Sequence, residues 1–116
     1  MTERQGKVWG TTAALFVRPN FSLHLLEIKA GGYCSEHRHE RKLNHFYVLS
    51  GKLEVTVWLE GGGQDTTVME AGQGTAVAVG SWHMFRAVED TICLEIYEAA
   101  PVEEDIVRRT TGGFGR

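Results

Sequence analysis

Three observations predict an all-β fold for this chain. Apolar and polar residues alternate with a period of two over many short runs, glycines break those runs at short intervals, and helix signals are nearly absent. The 116 residues, 42% hydrophobic and 23% charged, fit one globular domain, and at this length folding buries roughly two-thirds of the surface that an unfolded chain exposes. A core is within reach without disulfide or metal staples, so a bound metal would be there for chemistry.

Strands are predicted, in order, over residues 21–29, 45–49, 52–59, 66–69, 75–79 and 91–97. Gly31-Gly32, Ser50-Gly51, Gly61-Gly62-Gly63 and Gly72-Gln73-Gly74 supply the turns between them. Short strands at this spacing suit a sandwich or a small antiparallel barrel. Successive strand side chains point to opposite faces. In 21–29 the charged Glu27 and Lys29 prefer water, which turns Ser22, His24, Leu26 and Ile28 inward. In 52–59 Leu53, Val55 and Val57 form the inward set and Trp58 faces out, where a tryptophan marks a subunit interface. A homodimer is expected on that ground. In 91–97 Ile92, Leu94 and Ile96 share one face and Glu95 and Tyr97 the other, and either face can be the core. Residues 1–100 are assigned to the barrel. Residues 101–116, acidic at first and then rich in Gly, Thr and Arg, are expected to pack on that barrel or on a neighbouring subunit.

The net charge of −3, from 12 Lys+Arg against 15 Asp+Glu, and the lack of any basic run longer than two argue against nucleic acid or an anionic membrane as partner. A small-molecule substrate is the expected partner instead. Cys34 and Cys93 are too few for a disulfide scaffold, the N-terminus lacks a signal-peptide pattern, and no apolar stretch approaches the roughly 20 residues that cross a bilayer. A reduced, cytoplasmic protein is the expectation.

Chemistry concentrates in the histidines. His37, His39 and His45 cluster at the expected mouth of a β-hairpin, and His83 follows 44 positions after His39, behind a turn at 79–82 that feeds a strand. An H-x-H pair on extended backbone puts both imidazoles on one face, close enough to share a cation. A third histidine from a distant strand completes a facial set of three nitrogen ligands, with positions left open for water or substrate. His45, adjacent to Asn44 and so on the opposite face, reads as a packing or interface residue. His24 points inward, either as an acid, base or substrate contact or as a hydrogen-bonded core histidine. Arg38, Arg41 and Lys42 would draw an anionic substrate toward the pair. Cys34, of opposite parity to His37, reads as a small apolar filler.

The spacing Gly31, five residues, His37-x-His39, four residues, Asn44, six residues, Gly51 resembles the first motif of the cupin family, where the Asn44 position is usually glutamate. Gly72, five residues, Ala78-Val79-Gly80, two residues, His83 resembles the second motif, with Ala78 in place of its proline and Ala87 in place of its asparagine. The similarity extends to the cupin domain of type II mannose-6-phosphate isomerases. Lys7-Val8-Trp9-Gly10 resembles their Arg-Pro-Trp-Gly, and Asn44-His45-Phe46-Tyr47-Val48-Leu49-Ser50-Gly51 their Glu-His-Trp-x-Val-Val-Ser-Gly. Glu104-Asp105-Ile106-Val107-Arg108 and Phe114-Gly115-Arg116 are similar to their closing segments.

This resemblance implies a single-domain cupin, a small antiparallel β-barrel or jelly roll, with His37, His39, His83 and Asn44 at metal-ligand positions. His37 stands where the isomerases usually have glutamine. Asn44 offers a neutral carbonyl oxygen in place of a carboxylate, so the ion would keep its full charge and polarise a carbonyl more strongly, at some cost in affinity and with one candidate base removed. Nitrogen ligands suit a divalent transition metal such as Zn, Fe, Mn or Ni. The implied function is a metal-dependent enzyme on a small sugar phosphate or similar anion. His24 or Glu95 would shuttle the proton, and Arg38, Lys42 and Arg116 would hold the anion. Two other readings stand beside it: a non-catalytic cupin that binds a small ligand, and an Fe-dependent oxygenase.

Overall fold

A computed structural model describes residues 4–99 and realises the alternation as nine strands: β1 (Arg4–Lys7), β2 (Gly10–Arg18), β3 (Phe21–Ile28), β4 (Lys42–Ser50), β5 (Lys52–Trp58), β6 (Gln64–Glu70), β7 (Gly74–Val77), β8 (His83–Ala87) and β9 (Thr91–Ala99). They form two antiparallel sheets, one in the order β1-β2-β3-β9-β4-β7 and one in the order β6-β5-β8. Among the described residues no helix is long and apolar enough to cross a membrane.

All six predicted strands are present, with shifted ends. The run expected at 45–49 starts at Lys42 because Leu43 and Asn44 already pair with Glu98 and Tyr97 of β9. Of the other three, β8 was expected only as the strand fed by the turn at 79–82, and β1 and β2 escaped the sequence reading. β1 is a short polar edge strand, and β2 breaks its own period with a bulge between Ala14 and Phe16. The expected hairpin around the histidine pair does not form, since β9 lies between β3 and β4. Instead the segment 31–41 crosses to β8 and bridges it at Tyr33↔Arg86 and His37↔His83.

Sequence parity sets what the two sheets enclose. Leu26 and Ile28 of β3, Phe46 and Val48 of β4, Leu53 and Val55 of β5, Phe85 and Ala87 of β8 and Cys93 of β9 are buried together. Trp9 and Phe46 each meet Phe85 edge to face, at centroid distances of 5.1 and 5.9 Å. The ambiguity of β9 is resolved: Glu95 lies inward and is buried, while Ile92 is exposed. The chain turns from one sheet to the other at Gly51, whose φ of 93° favours glycine and whose added Cβ would lie 2.2 Å from Asp90 O. Trp58 is not a bare outward ring; it is half-buried in a groove that it lines with Arg38 and Trp82.

Candidate metal centre

The crossing of segment 31–41 over β8 assembles the site. His37 N donates to His83 O at 3.0 Å and His83 N to His37 O at 2.8 Å, which sets their rings 4.4 Å apart. His39, two residues on, presents its ring 5.0 Å from that of His37 and 5.4 Å from that of His83. One ligand nitrogen from each of the three lies within 4.8 Å of the others.

Hydrogen bonds select which nitrogens these are. His37 Nδ1 donates to Ser35 O at 2.7 Å and His83 Nδ1 to Ser81 O at 2.9 Å, so in the neutral rings Nε2 carries the lone pair. Burial holds His83 below its ordinary pKa and takes His39 down to about 4, with His37, His83 and Lys42 adding repulsion at His39. The rings of His39 and His83 are therefore kept in the neutral form that binds a cation.

Two observations show that a cation fits. His39 Nε2 is buried with no hydrogen-bond partner among the described residues. His83 Nε2 faces Asn44 Oδ1 at 3.1 Å, and with the ring proton already on Nδ1 these are two acceptors turned on each other. The Asn44 amide is held that way round because its Nδ2 donates to Glu95 Oε2 at 3.3 Å and to Ile96 O at 3.5 Å. A positive ion beside the imidazoles satisfies all three lone pairs.

Of the triad, His37 lines a cavity of about 440 Å³ together with Lys7, Trp9, His24, Glu95 and Tyr97, among others. Glu95 sits opposite His24 in the β3–β9 register. Burial pushes its carboxyl up, against hydrogen bonds from Tyr97 and Asn44 that favour the charged form. The Tyr97 phenol is driven strongly upward by burial and by Glu95, so it stays protonated. Its ring packs edge-on against His24 at 5.5 Å and His39 at 5.1 Å, with Lys42 Nζ 5.0 Å from its centroid. His24 donates or accepts at Ser22 Oγ, 3.0 Å away, and is held below its ordinary pKa by burial and by Lys42.

Of the residues singled out in the sequence, His37, His39, His83, Asn44, His24 and Glu95 meet around one space. Lys42 stands near it, by Tyr97. Arg38 does not: it pairs with Glu40 at 3.0 Å, covers Trp82 at 5.0 Å, and lines the groove of Trp58. Its proximity in sequence misled because its parity is opposite to that of His37 and His39. His45 lies on the far face, 2.9 Å from Glu98. Cys34 is buried with its Sγ accepting from Phe85 N at 3.2 Å, and it also borders the cavity. Arg116 and the expected packing of 101–116 lie outside the described residues. Tyr97 went unassigned in the sequence, although it shares parity with Glu95. Lys7 and Trp9 were singled out only as part of the segment resembling Arg-Pro-Trp-Gly, and their place beside the cavity was not read from it, since β1 itself was not foreseen.

Two antiparallel sheets with three imidazoles converging at one end define a class of all-β domain whose histidines could hold a metal ion. Residues 24–97 match the family model described as cupin domain, and the chain belongs to the cupin family. Over 113 residues it is 27% identical to mannose-1-phosphate guanylyltransferase of Escherichia coli, which covers 93% of this chain and 22% of that protein. The chain thus spans about a fifth of the length of that relative. Bacillus subtilis oxalate decarboxylase, solved in work on its Mn(II) centres, matches with a TM-score of 0.75 at 20% identity over 90% of this chain and 29% of that one. KdgF from Halomonas sp. matches at 0.73 and 18% over 90% and 93% of the two chains. These structural likenesses are likenesses of fold.

Proposed function

We propose that the chain is a metal-dependent enzyme of the mannose-6-phosphate isomerase type, acting on a small sugar phosphate or a similar anion. The ligands of a divalent transition metal would be His37, His39 and His83, with Asn44 Oδ1 as a fourth donor. The observation that carries the reading is the company kept by His37 of the triad: a buried carboxyl, a phenol and a neutral imidazole share the cavity that it lines. Likeness to a mannose-1-phosphate enzyme over most of the chain supports the substrate class.

A bound ion there supplies a positive centre that polarises a substrate carbonyl or hydroxyl. His24, kept neutral, accepts a proton from a substrate carbon, and Glu95 across the strand pair, biased toward its protonated form, returns one. Tyr97 holds the Glu95 carboxyl in place. Lys7 and Lys42 draw the anion to the mouth of the barrel.

The test is elemental analysis of purified protein beside a His37→Ala/His83→Ala double variant, followed by a sugar-phosphate isomerisation assay. One ion per chain, lost in the double variant, with turnover abolished by His24→Ala while metal is retained, is the expected result. Stoichiometric metal with ligand binding but no turnover would replace the enzyme with a binding protein, and substrate-dependent oxygen uptake would replace it with an oxygenase.

A further inference from the structure

Behind the bridge between His37 and His83, at the end of the smaller sheet, lies a groove of about 430 Å³ that the metal chemistry does not use. Trp58 ends β5 and Trp82 leads into β8, and Trp58 N donates to Trp82 O at 2.9 Å, so the two indoles spring from adjacent backbone. Both line the groove, with Leu59 and Val79 beside them. Trp82, Leu59 and Val79 are 48%, 49% and 39% exposed, so among the described residues apolar surface is gathered there and left to water.

Charge narrows what such a groove takes. The Arg38 guanidinium carbon lies 5.0 Å from the centroid of the Trp82 ring, so that face of the ring already holds a cation. The same guanidinium is paired with Glu40 at 3.0 Å, and Glu60 adds a second carboxylate at the groove. Arg38 against Glu40 and Glu60 leaves the site net negative, which disfavours a phosphate or a carboxylate. An uncharged ligand remains, and the volume and the apolar walls with a few polar groups are those of a small-molecule site.

We propose that this groove binds an uncharged saccharide, with a pyranose ring stacked on an indole and its hydroxyls paired at the rim. The C–H face of a pyranose is apolar and faintly positive, which suits the negative face of an aromatic ring. Its hydroxyl edge needs donors and acceptors together. The groove supplies them as the N–H groups of Arg38, the carboxylate of Glu60 and the hydroxyl of Ser81. Arg38 has the opposite parity to His37 and His39, so the sugar and the ion would sit on opposite sides of one segment. The site is therefore independent of whatever the metal cavity takes.

The chain has three tryptophans, so the indole N–H signals of a proton–nitrogen NMR spectrum are assignable by single substitutions, Trp9→Phe, Trp58→Phe and Trp82→Phe. Titration of the full chain with cellobiose, maltose and mannobiose is expected to move the Trp58 and Trp82 signals saturably for at least one of them, with a Kd of roughly 1 mM. Trp9, which lines the metal cavity, should stay in place. Trp58→Ala and, separately, Trp82→Ala should each weaken binding roughly tenfold, the loss of about 60 Å² of buried apolar contact. Trp82 adjoins His83, so if that variant fails to fold Trp58→Ala decides. Phe16→Ala, on the larger sheet, should bind as wild type does. No saturable shift with any of the three disaccharides, a shift of Trp9 alone, or tighter binding of mannose 6-phosphate or adenosine at the same two signals overturns the proposal. Trp58 and Trp82 signals that move on dilution of the protein alone would overturn it in favour of a second copy of the chain.

Discussion

The two ends of the barrel interior are built from the same strands and differ in almost everything else. Read inward along β3, the series is Ile28, Leu26, His24, Ser22; along β4 it is Val48, Phe46, Asn44; along β8 it is Ala87, Phe85, His83; along β9 it is Cys93, Glu95, Tyr97. At one end these residues are apolar and buried, with Thr91 of β9 the polar exception beside Ile28. Toward the other end each strand changes to a polar or ligating side chain without changing its parity. Alternation thus dictates the barrel, and the last inward position on each strand dictates its chemistry.

That separation can be broken at the apolar end first. Phe46→Ala removes a buried ring packed on Phe85 and should cost roughly 3–5 kcal/mol of stability, read by denaturant titration. A cost below about 1 kcal/mol would mean that this end is not the core. At the polar end the sign of the outcome differs. His39→Ala should abolish the stabilisation conferred by metal, about 4 kcal/mol when the ion is present at a thousand times its Kd. The apo protein should lose little, since the substitution removes a buried nitrogen that has no partner among the described residues. Melting curves with and without added metal give both numbers.

The comparison sharpens at the junction, where Glu95 orients the Asn44 amide. Glu95→Leu should weaken metal affinity by roughly 10–100-fold, in the range found when a partner of a ligand is removed. Chelator competition measures it, and unchanged affinity would deny Asn44 Oδ1 a place at the ion. The smallest effect concerns the thiols. Burial, aided by the charge of Glu95, pushes Cys34 up to about 11 and Cys93 up to about 12. Because the thiolate is the reactive form, neither should be alkylated at pH 8 on the timescale of a free cysteine, and both should react once the chain is denatured.

Much of this was legible in the sequence for the same reason that the two ends differ. Period-two alternation identified the inward residues of β3 and β5, and the spacing of His37, His39 and His83 identified the triad. Alternation alone could not orient β9, because its apolar set lies outside the barrel and its polar set within. β2 stayed hidden behind its bulge. The pairing of segment 31–41 with β8 depends on β8 standing at the edge of the second sheet, which no local pattern encodes, and Arg38 was assigned to the site because sequence distance ignores parity.

The bridge between His37 and His83 has a kinetic consequence. It joins segments distant in sequence, so the chain must close a long loop before the two rings meet, and the entropy of that closure falls on folding itself. An ion finds no assembled triad in a partly folded chain. Metal should therefore leave the refolding rate nearly unchanged and slow unfolding, acting as a latch on a door that has already swung shut.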